Sequence, residues 1–458
     1  MTQTQTRPLA ADGDPAGALS LEALRGLQTS FRAQPAYRLA QNAVTRHSVD
    51  DIALDHRVVF AADHTFSTAL DDWAVTDQKQ TGRCWMFAGL NLLRFAARRS
   101  LGVKEFEFSQ NYLMFWDKVE RANYFLEAII ESADRDVTDR SVAFLLDGPL
   151  SDGGQWNMFI NLVRKHGLVP KALMPETDSS SHSRRMNAVL RSKLREGART
   201  LRTMHSRGAS LDELRACKAQ YVAVVHRILN IHLGTPPERF TFQWRDKDGA
   251  FHRTDEVTAR EFAARFVDLP LDSYVCLVHD PRTANPPGRT YTVEYLGNVV
   301  GGQRVTYLNV DMDVMKGIAQ RTLEAGEPVW FGCDVGKQMR RDLGLMDRDL
   351  LDLGPVYDTS FDLTKVERLE YGESQMTHAM LFTGVDVVDD VPRRWRVENS
   401  WGAEPGQKGF FTMNDAWFDE YMFEIAARKE YLPRDLQEAL ELEPTVLPPW
   451  DPMGALAR

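Results

Sequence analysis

Asp77-Gln78-Lys79-Gln80-Thr81-Gly82-Arg83-Cys84-Trp85-Met86-Phe87 is the stretch on which the reading of this chain turns. Its polar first half ends in glycine, and from Cys84 onward Met86, Gly89, Leu90, Leu93 and Ala97 fall on one helical stripe. The spacing predicts a helix that begins at or near Cys84. A thiol attacks a carbonyl as the thiolate, and a helix N-terminus together with a protonated histidine lowers a cysteine pKa by several units. Gly82 lets a substrate backbone approach without meeting a Cβ, and Trp85 and Phe87 are placed to exclude water. The Gln78 side-chain amide is placed to join the Cys84 backbone N–H as a donor to a developing oxyanion. Alone, a cysteine at a helix start is more often a small buried hydrophobe, so the rest of the chain decides.

That first segment resembles the Gln-x5-Cys-Trp nucleophile segment of the papain-like cysteine peptidases. Thr377-His378-Ala379-Met380 resembles their histidine strand, and Glu398-Asn399-Ser400-Trp401-Gly402 their Asn-Ser-Trp-Gly motif. The three stand in the family's order, each with the residue its role requires. The resemblance implies an α+β fold, a helical half and an antiparallel β-barrel half. It implies Cys84 as nucleophile, His378 as its proton partner, Asn399 orienting that histidine, and Gln78 serving the oxyanion. The side-chain chemistry agrees. An imidazole can share the thiol proton and deliver it to a leaving amine, and a neutral amide suffices to orient a pair that carries its own counter-charge. Trp401 is expected to cover the His378–Asn399 bond, and the other histidines and Cys333 are read as structural or surface residues.

His378 lies 294 residues after Cys84, against roughly 130–150 in compact family members, so about 150 residues are inserted. They fall mainly in the helical stretch from Phe106 to Ile231 and the hairpin region after it. This layout resembles the bleomycin hydrolase and aminopeptidase C branch. So do Tyr37-Arg38-Leu39-Ala40-Gln41-Asn42-Ala43, Ser109-Gln110-Asn111-Tyr112-Leu113, Trp116-Asp117-Lys118-Val119-Glu120-Arg121, Asp152-Gly153-Gly154-Gln155-Trp156, Met174-Pro175-Glu176-Thr177, Trp330-Phe331-Gly332-Cys333-Asp334-Val335-Gly336 and Trp450-Asp451-Pro452-Met453-Gly454-Ala455-Leu456. The branch implies an aminopeptidase acting on peptides with free N-termini, a homohexamer closed as a sixfold barrel, and a C-terminal tail that enters the cleft. Ala457 and Arg458 would then contact substrate, although Arg458 departs from the branch's pattern. Prolines 448, 449 and 452 stiffen this tail, and Trp450 and Met453 are costly to leave in water. Gly153 and Gly154 are read as substrate-binding, since a glycine pair lets an extended peptide lie against the main chain.

The 458 residues are 43% apolar, enough for a substantial core. No run approaches the roughly 18 apolar residues of a membrane span, and Met1–Ser30 shows no basic segment leading into an apolar one. A soluble, cytoplasmic protein is expected. Four cysteines without a CxxC pair fit neither a zinc site nor a disulfide scaffold, and no HExxH or other ligand cluster is present, so no metal or cofactor is expected. The net charge of −10 argues against nucleic-acid binding over the whole surface. Eight basic residues between Arg184 and Arg207, against the single acid Glu196, leave a local patch open, either a solvated helix face or a nucleic-acid contact.

Six segments are expected. Residues 1–18 form a flexible arm. Residues 19–110 form a helical half, with Ser20 capping a helix through Leu21, Leu24, Leu27 and Phe31. Residues 111–240 form a helical insertion, interrupted at 148–154 and in the Ser-rich run 178–183. Residues 241–340 carry a hairpin over Asp246-Lys247-Asp248-Gly249 and strands at Tyr274–Val278, Thr290–Tyr295 and Val329–Cys333. Residues 341–440 hold His378 on a buried strand, whose partner Trp395–Asn399 follows the turn at Asp389-Asp390-Val391-Pro392, and residues 441–458 form the tail. Two other functions share these features: a DNA-binding or scaffold oligomer with secondary peptidase activity, and a papain-like endopeptidase.

Overall fold

The computed structural model describes residues 17–70 and 73–457, which form two compact units. The smaller comprises residues 17–60 with Asp349–Asp362. Its first helix, Leu21–Ala33, is capped as the sequence predicts, the Ser20 side chain accepting from Ala23 N. A bridge from Leu54 to Leu351 and a bond from Tyr37 Oη to Asp358 Oδ2 at 2.8 Å tie its two chain segments together.

The larger unit holds helices α1 (Cys84–Leu101), α2 (Gln110–Glu131), α3 (Trp156–His166), α4 (Arg184–Ser206) and α5 (Leu211–Leu233), then strands β1 (Tyr274–Val278), β2 (Arg289–Val293) and β3 (Tyr307–Asn309). Helix α6 (Met312–Glu324) follows, then β4 (Val329–Cys333), β5 (His378–Val388), β6 (Val391–Glu398), β7 (Phe410–Asn414), β8 (Met422–Arg428) and β9 (Thr445–Leu447). The strands join one twelve-stranded sheet whose central order is β1-β8-β4-β5-β6-β7. Most pairs are antiparallel; β1 with β3, β2 with β9, and β7 with Leu345–Met346 are parallel. The hairpin expected after Phe240 pairs Gln243–Arg245 with Phe251–Arg253, and Gly249 takes the positive φ its turn requires.

Strand β5 reads as an unbroken apolar run because both its faces are buried. Ala379 and Leu381 enter a core shared with the helices, alongside Trp85, Leu93 and Phe159. Met380, Phe382 and Val385 enter a second core with Ile318, Phe331 and Trp395. The β5–β6 turn is two residues long, and Asp389 (φ 52°) and Asp390 (φ 63°) both take the left-handed conformation that a type I′ hairpin demands. The pairing then passes two irregularities, between Asp386 and Val387 and between Phe382 and Gly384, and sets Leu381 opposite Glu398, which brings Asn399 back toward His378.

The Ser-rich run departs from expectation. Asp178–Ser181 is a helical turn, because Thr177 and Ser180 form a reciprocal capping box that overrides the weak helix preference of serine. Two basic residues of α4 find internal work: Arg195 donates to Leu146 O and Asp147 O, both at 2.8 Å, and Arg202 to Ser132 O at 3.1 Å, satisfying carbonyls at the ends of two neighbouring helices. Arg184, Arg185 and Arg199 stay exposed. No helix is long and apolar enough to cross a membrane among the described residues.

Candidate active site

Helix α1 starts at Cys84 itself, and α1 packs against β5, so the thiol at the head of the helix meets the head of the strand. Cys84 is 3% exposed, and the Ala379 backbone N–H, next to His378, faces its sulfur. His378 Nε2 donates to Asn399 Oδ1 at 3.0 Å, and the Trp401 ring lies 4.9 Å from the imidazole, centre to centre. The remaining ring nitrogen, Nδ1, is left as the base.

Within the Asn-Ser-Trp run, Asn399 and Trp401 both serve His378, while Ser400 serves Gln78. Ser400 Oγ donates to Gln78 Oε1 at 2.6 Å, and Gln78 N donates to Ser400 O at 2.9 Å. Gln78 Nε2 donates to Thr81 O at 2.7 Å, which fixes the amide with nitrogen on the Cys84 side of the turn and leaves one N–H for another acceptor. The sequence reading missed Ser400, whose adjacency to Asn399 was its signal. Glu398, on the other side of Asn399, is also fully enclosed. It accepts from Arg94 Nη2 at 2.6 Å, Asn91 Nδ2 at 2.8 Å and Trp73 Nε1 at 2.6 Å. Arg94 and Asn91 belong to α1, so a buried, hydrogen-bonded charge pair ties the nucleophile helix to the strand end that carries Asn399.

The loop before α3 forms the opposite wall. Asp152 is its anchor, accepting from Lys118 Nζ at 2.6 Å, Asn187 Nδ2 at 2.8 Å and Ser183 Oγ, while its carbonyl accepts from Trp85 Nε1 at 2.7 Å. Lys118 also reaches Ser151 O, and Arg121 holds Gly153 O. The helical insertion thus grips this loop from α2 and α4. The two glycines answer different needs: a Cβ on Gly154 would stand 2.5 Å from the Trp85 ring, and one on Gly153 only 2.0 Å from Leu456 O. The tail therefore runs against Gly153. Ser151 Oγ donates to Ala457 O at 2.5 Å, Tyr307 Oη to Met453 O at 3.1 Å, and Asp451 pairs with Arg282 at 3.0 Å. Arg458 lies outside the described residues, as does most of the expected N-terminal arm.

Burial works against the lowered thiol pKa expected at a helix start. Burial pushes the Cys84 thiol up to about 11, the N–H groups of Ala379, Trp85 and Cys84 opposing it, and holds His378 down to about 4 against the pull of Asn399. Desolvation outweighs the helix N-terminus as long as the two groups are neutral. A stability consequence follows for His378. Below its ordinary 6.5 the unfolded chain binds a proton that the folded chain refuses until about 4, so stability falls as pH drops through this window. Urea unfolding at pH 7 and pH 5 should show about 2 kcal/mol less acid destabilisation for His378→Gln than for wild type. An equal pH dependence in both proteins would contradict the assignment.

No group of three or more His, Cys, Asp or Glu side chains is gathered as a metal site would need among the described residues. A family model described as the peptidase C1-like family matches residues 18–454. Aminopeptidase C of Lactobacillus delbrueckii subsp. lactis is 40% identical over 442 residues, 96% of this chain and 98% of that one. Bleomycin hydrolase of Homo sapiens is 42% identical over 449 residues, 96% and 99% of the two chains. The crystal structure of pepW from Lactobacillus rhamnosis superposes with a TM-score of 0.94 at 45% identity, covering 96% of this chain and 99% of the other.

Proposed function

The chain belongs to the peptidase C1-like family and is a cysteine-type aminopeptidase of papain-like fold, and on that premise we propose that Cys84, His378, Asn399 and Gln78 carry its chemistry. With Nε2–H donating to Asn399, Nδ1 of His378 takes the proton of Cys84 as the sulfur attacks the scissile carbonyl. Burial disfavours either charge alone, so the proton passes within the pair instead of escaping to solvent. The free N–H of Gln78 and the backbone N–H of Cys84 receive the negative oxygen. His378 then protonates the leaving amine, giving an acyl-enzyme, and accepts a proton from the water that hydrolyses it. No step is assigned to a metal because the thiol itself supplies the nucleophile. The observation that carries the reading is the 3.0 Å bond between His378 and Asn399 beside a buried thiol at a helix start.

The test separates the roles. His378→Ala is expected to lower kcat by about 10³-fold or more, because proton transfer is lost. Asn399→Ala should leave measurable activity, about 10–100-fold below wild type, because only orientation is lost. Equal and complete loss in both folded variants would sink this division.

The substrates are peptides. Their restriction to free N-termini is assigned to the tail, and this is supported by the seating of Leu456 O against Gly153 and of Ala457 O on Ser151. A homohexamer is supported by the small unit, whose helix Leu21–Ala33 leaves Leu21, Leu24, Leu27 and Phe31 exposed. A cytoplasmic location is supported by four unpaired thiols.

A further inference from the structure

We propose that the side chain of the substrate's N-terminal residue enters the cavity behind Gly82 and Gly153, and that this cavity selects large apolar and aromatic residues. The cavity measures about 490 Å³ and meets the candidate site at Gly82, Gly153 and Ala457. Gly82 is two residues before the nucleophile, and its carbonyl stands 4.0 Å from Cys84 Sγ. Gly153 and Ala457 mark where the tail runs. The inference rests on the tail reading of the preceding section: a substrate amine held near the end of the tail places the side chain on the same Cα beside Ala457, and this cavity is the space lined there.

Its lining decides the preference. Phe125, Leu145, Leu150 and Met158 form a buried apolar floor, at 4%, 7%, 2% and 0% exposure, and Phe144 adds an aromatic wall. Each buried CH2 contributes about 0.8 kcal/mol, so a phenylalanine or leucine side chain gains far more here than an alanine methyl. Charged lining residues carry both signs, Arg191 against Glu294 and Asp147, so a charged substrate side chain would meet repulsion as well as attraction while being desolvated. The volume exceeds what one aromatic side chain needs and lies within the range of ordinary ligand pockets. Arg121, the other cation at the wall, is already committed to Asp117 and Gly153 O.

The experiment measures kcat/KM for arylamides of glycine, alanine, leucine, phenylalanine and tryptophan with free amino groups, together with N-acetyl-alanine and N-acetyl-phenylalanine arylamides. Two variants are compared with wild type: Leu296→Trp, which fills the cavity from a half-buried loop position, and Phe144→Ala, which widens it. Wild type should favour phenylalanine and leucine over alanine by at least about tenfold, a modest fraction of the burial available. Leu296→Trp should lower the phenylalanine-to-alanine ratio at least fivefold, and Phe144→Ala should raise the tryptophan-to-phenylalanine ratio at least threefold. A wild-type profile flat within twofold, or ratios unmoved in the folded variants, overturns the proposal; if Leu296→Trp does not fold, the wild-type series and Phe144→Ala decide. Cleavage of the acetylated arylamides as fast as the free ones would overturn the tail reading instead, and the side-chain ratios, measured on either series, would still judge the cavity.

Discussion

Replacing Cys84 with alanine is expected to lower kcat/KM for peptide substrates by at least about 10³-fold while leaving the fold in place. The two parts of this expectation have separate causes. Activity goes because alanine offers no atom that can form the acyl-enzyme, and neither His378 nor the oxyanion donors supply one. The fold stays because the sulfur is a single atom at the first position of α1, where Trp85, Met86 and Phe87 make the helix's buried contacts. Losing it costs about 1 kcal/mol of packing, and removes a group whose charge burial already opposes. Cys84→Ser should be nearly as inactive, since a hydroxyl surrenders its proton far less readily than a thiol. Kinetics read beside a thermal melt check both halves. If the alanine variant keeps a tenth of wild-type kcat/KM, Cys84 has no place in the mechanism.

Deleting residues 455–458 should convert the specificity. The deleted segment includes Leu456, 3% exposed against Gly153, and Ala457, whose carbonyl Ser151 holds. The anchors that fold the rest of the tail remain: Asp451 on Arg282, Met453 O on Tyr307, and the Arg140 guanidinium 3.6 Å above the Trp450 ring. Truncation therefore empties the strip beside Gly153 without unseating β9. An acyl group or a further residue on the amino side of the scissile bond, excluded by the tail, could then lie there in extended form. Hydrolysis of free amino-acid arylamides should fall at least about tenfold, because the tail reading pairs the chain's terminal carboxylate with the substrate's α-ammonium and the truncation removes that pairing. N-acetylated or internal bonds should become substrates. Peptide digests followed by mass spectrometry would show it. If the truncated enzyme still demands a free amino terminus, specificity resides elsewhere in the cleft.

The parts of this molecule that local chemistry dictates were legible without coordinates. The glycine before Cys84 and the apolar spacing after it place the nucleophile at a helix start, Ser20 caps the helix it precedes, and a turn beginning at Asp389-Asp390 joins β5 to β6, although Val391 and Pro392, expected in that turn, already belong to β6. These are short-range matters of φ, capping and periodicity, carried by a handful of neighbouring residues. What the sequence could not decide depends on residues far apart in the chain. Ser400 meets Gln78 across 322 positions, Ser151 meets Ala457 across 306, and Glu398 meets Arg94 across 304. Nothing in the local pattern of either partner predicts the other. The state of the thiol belongs to the same class. A helix N-terminus read from the sequence argues for a lowered pKa, whereas the fold encloses Cys84 and His378 so completely that desolvation raises the one and lowers the other. Solvent access is set by every element that closes over a site, so it exists only once the tertiary structure does.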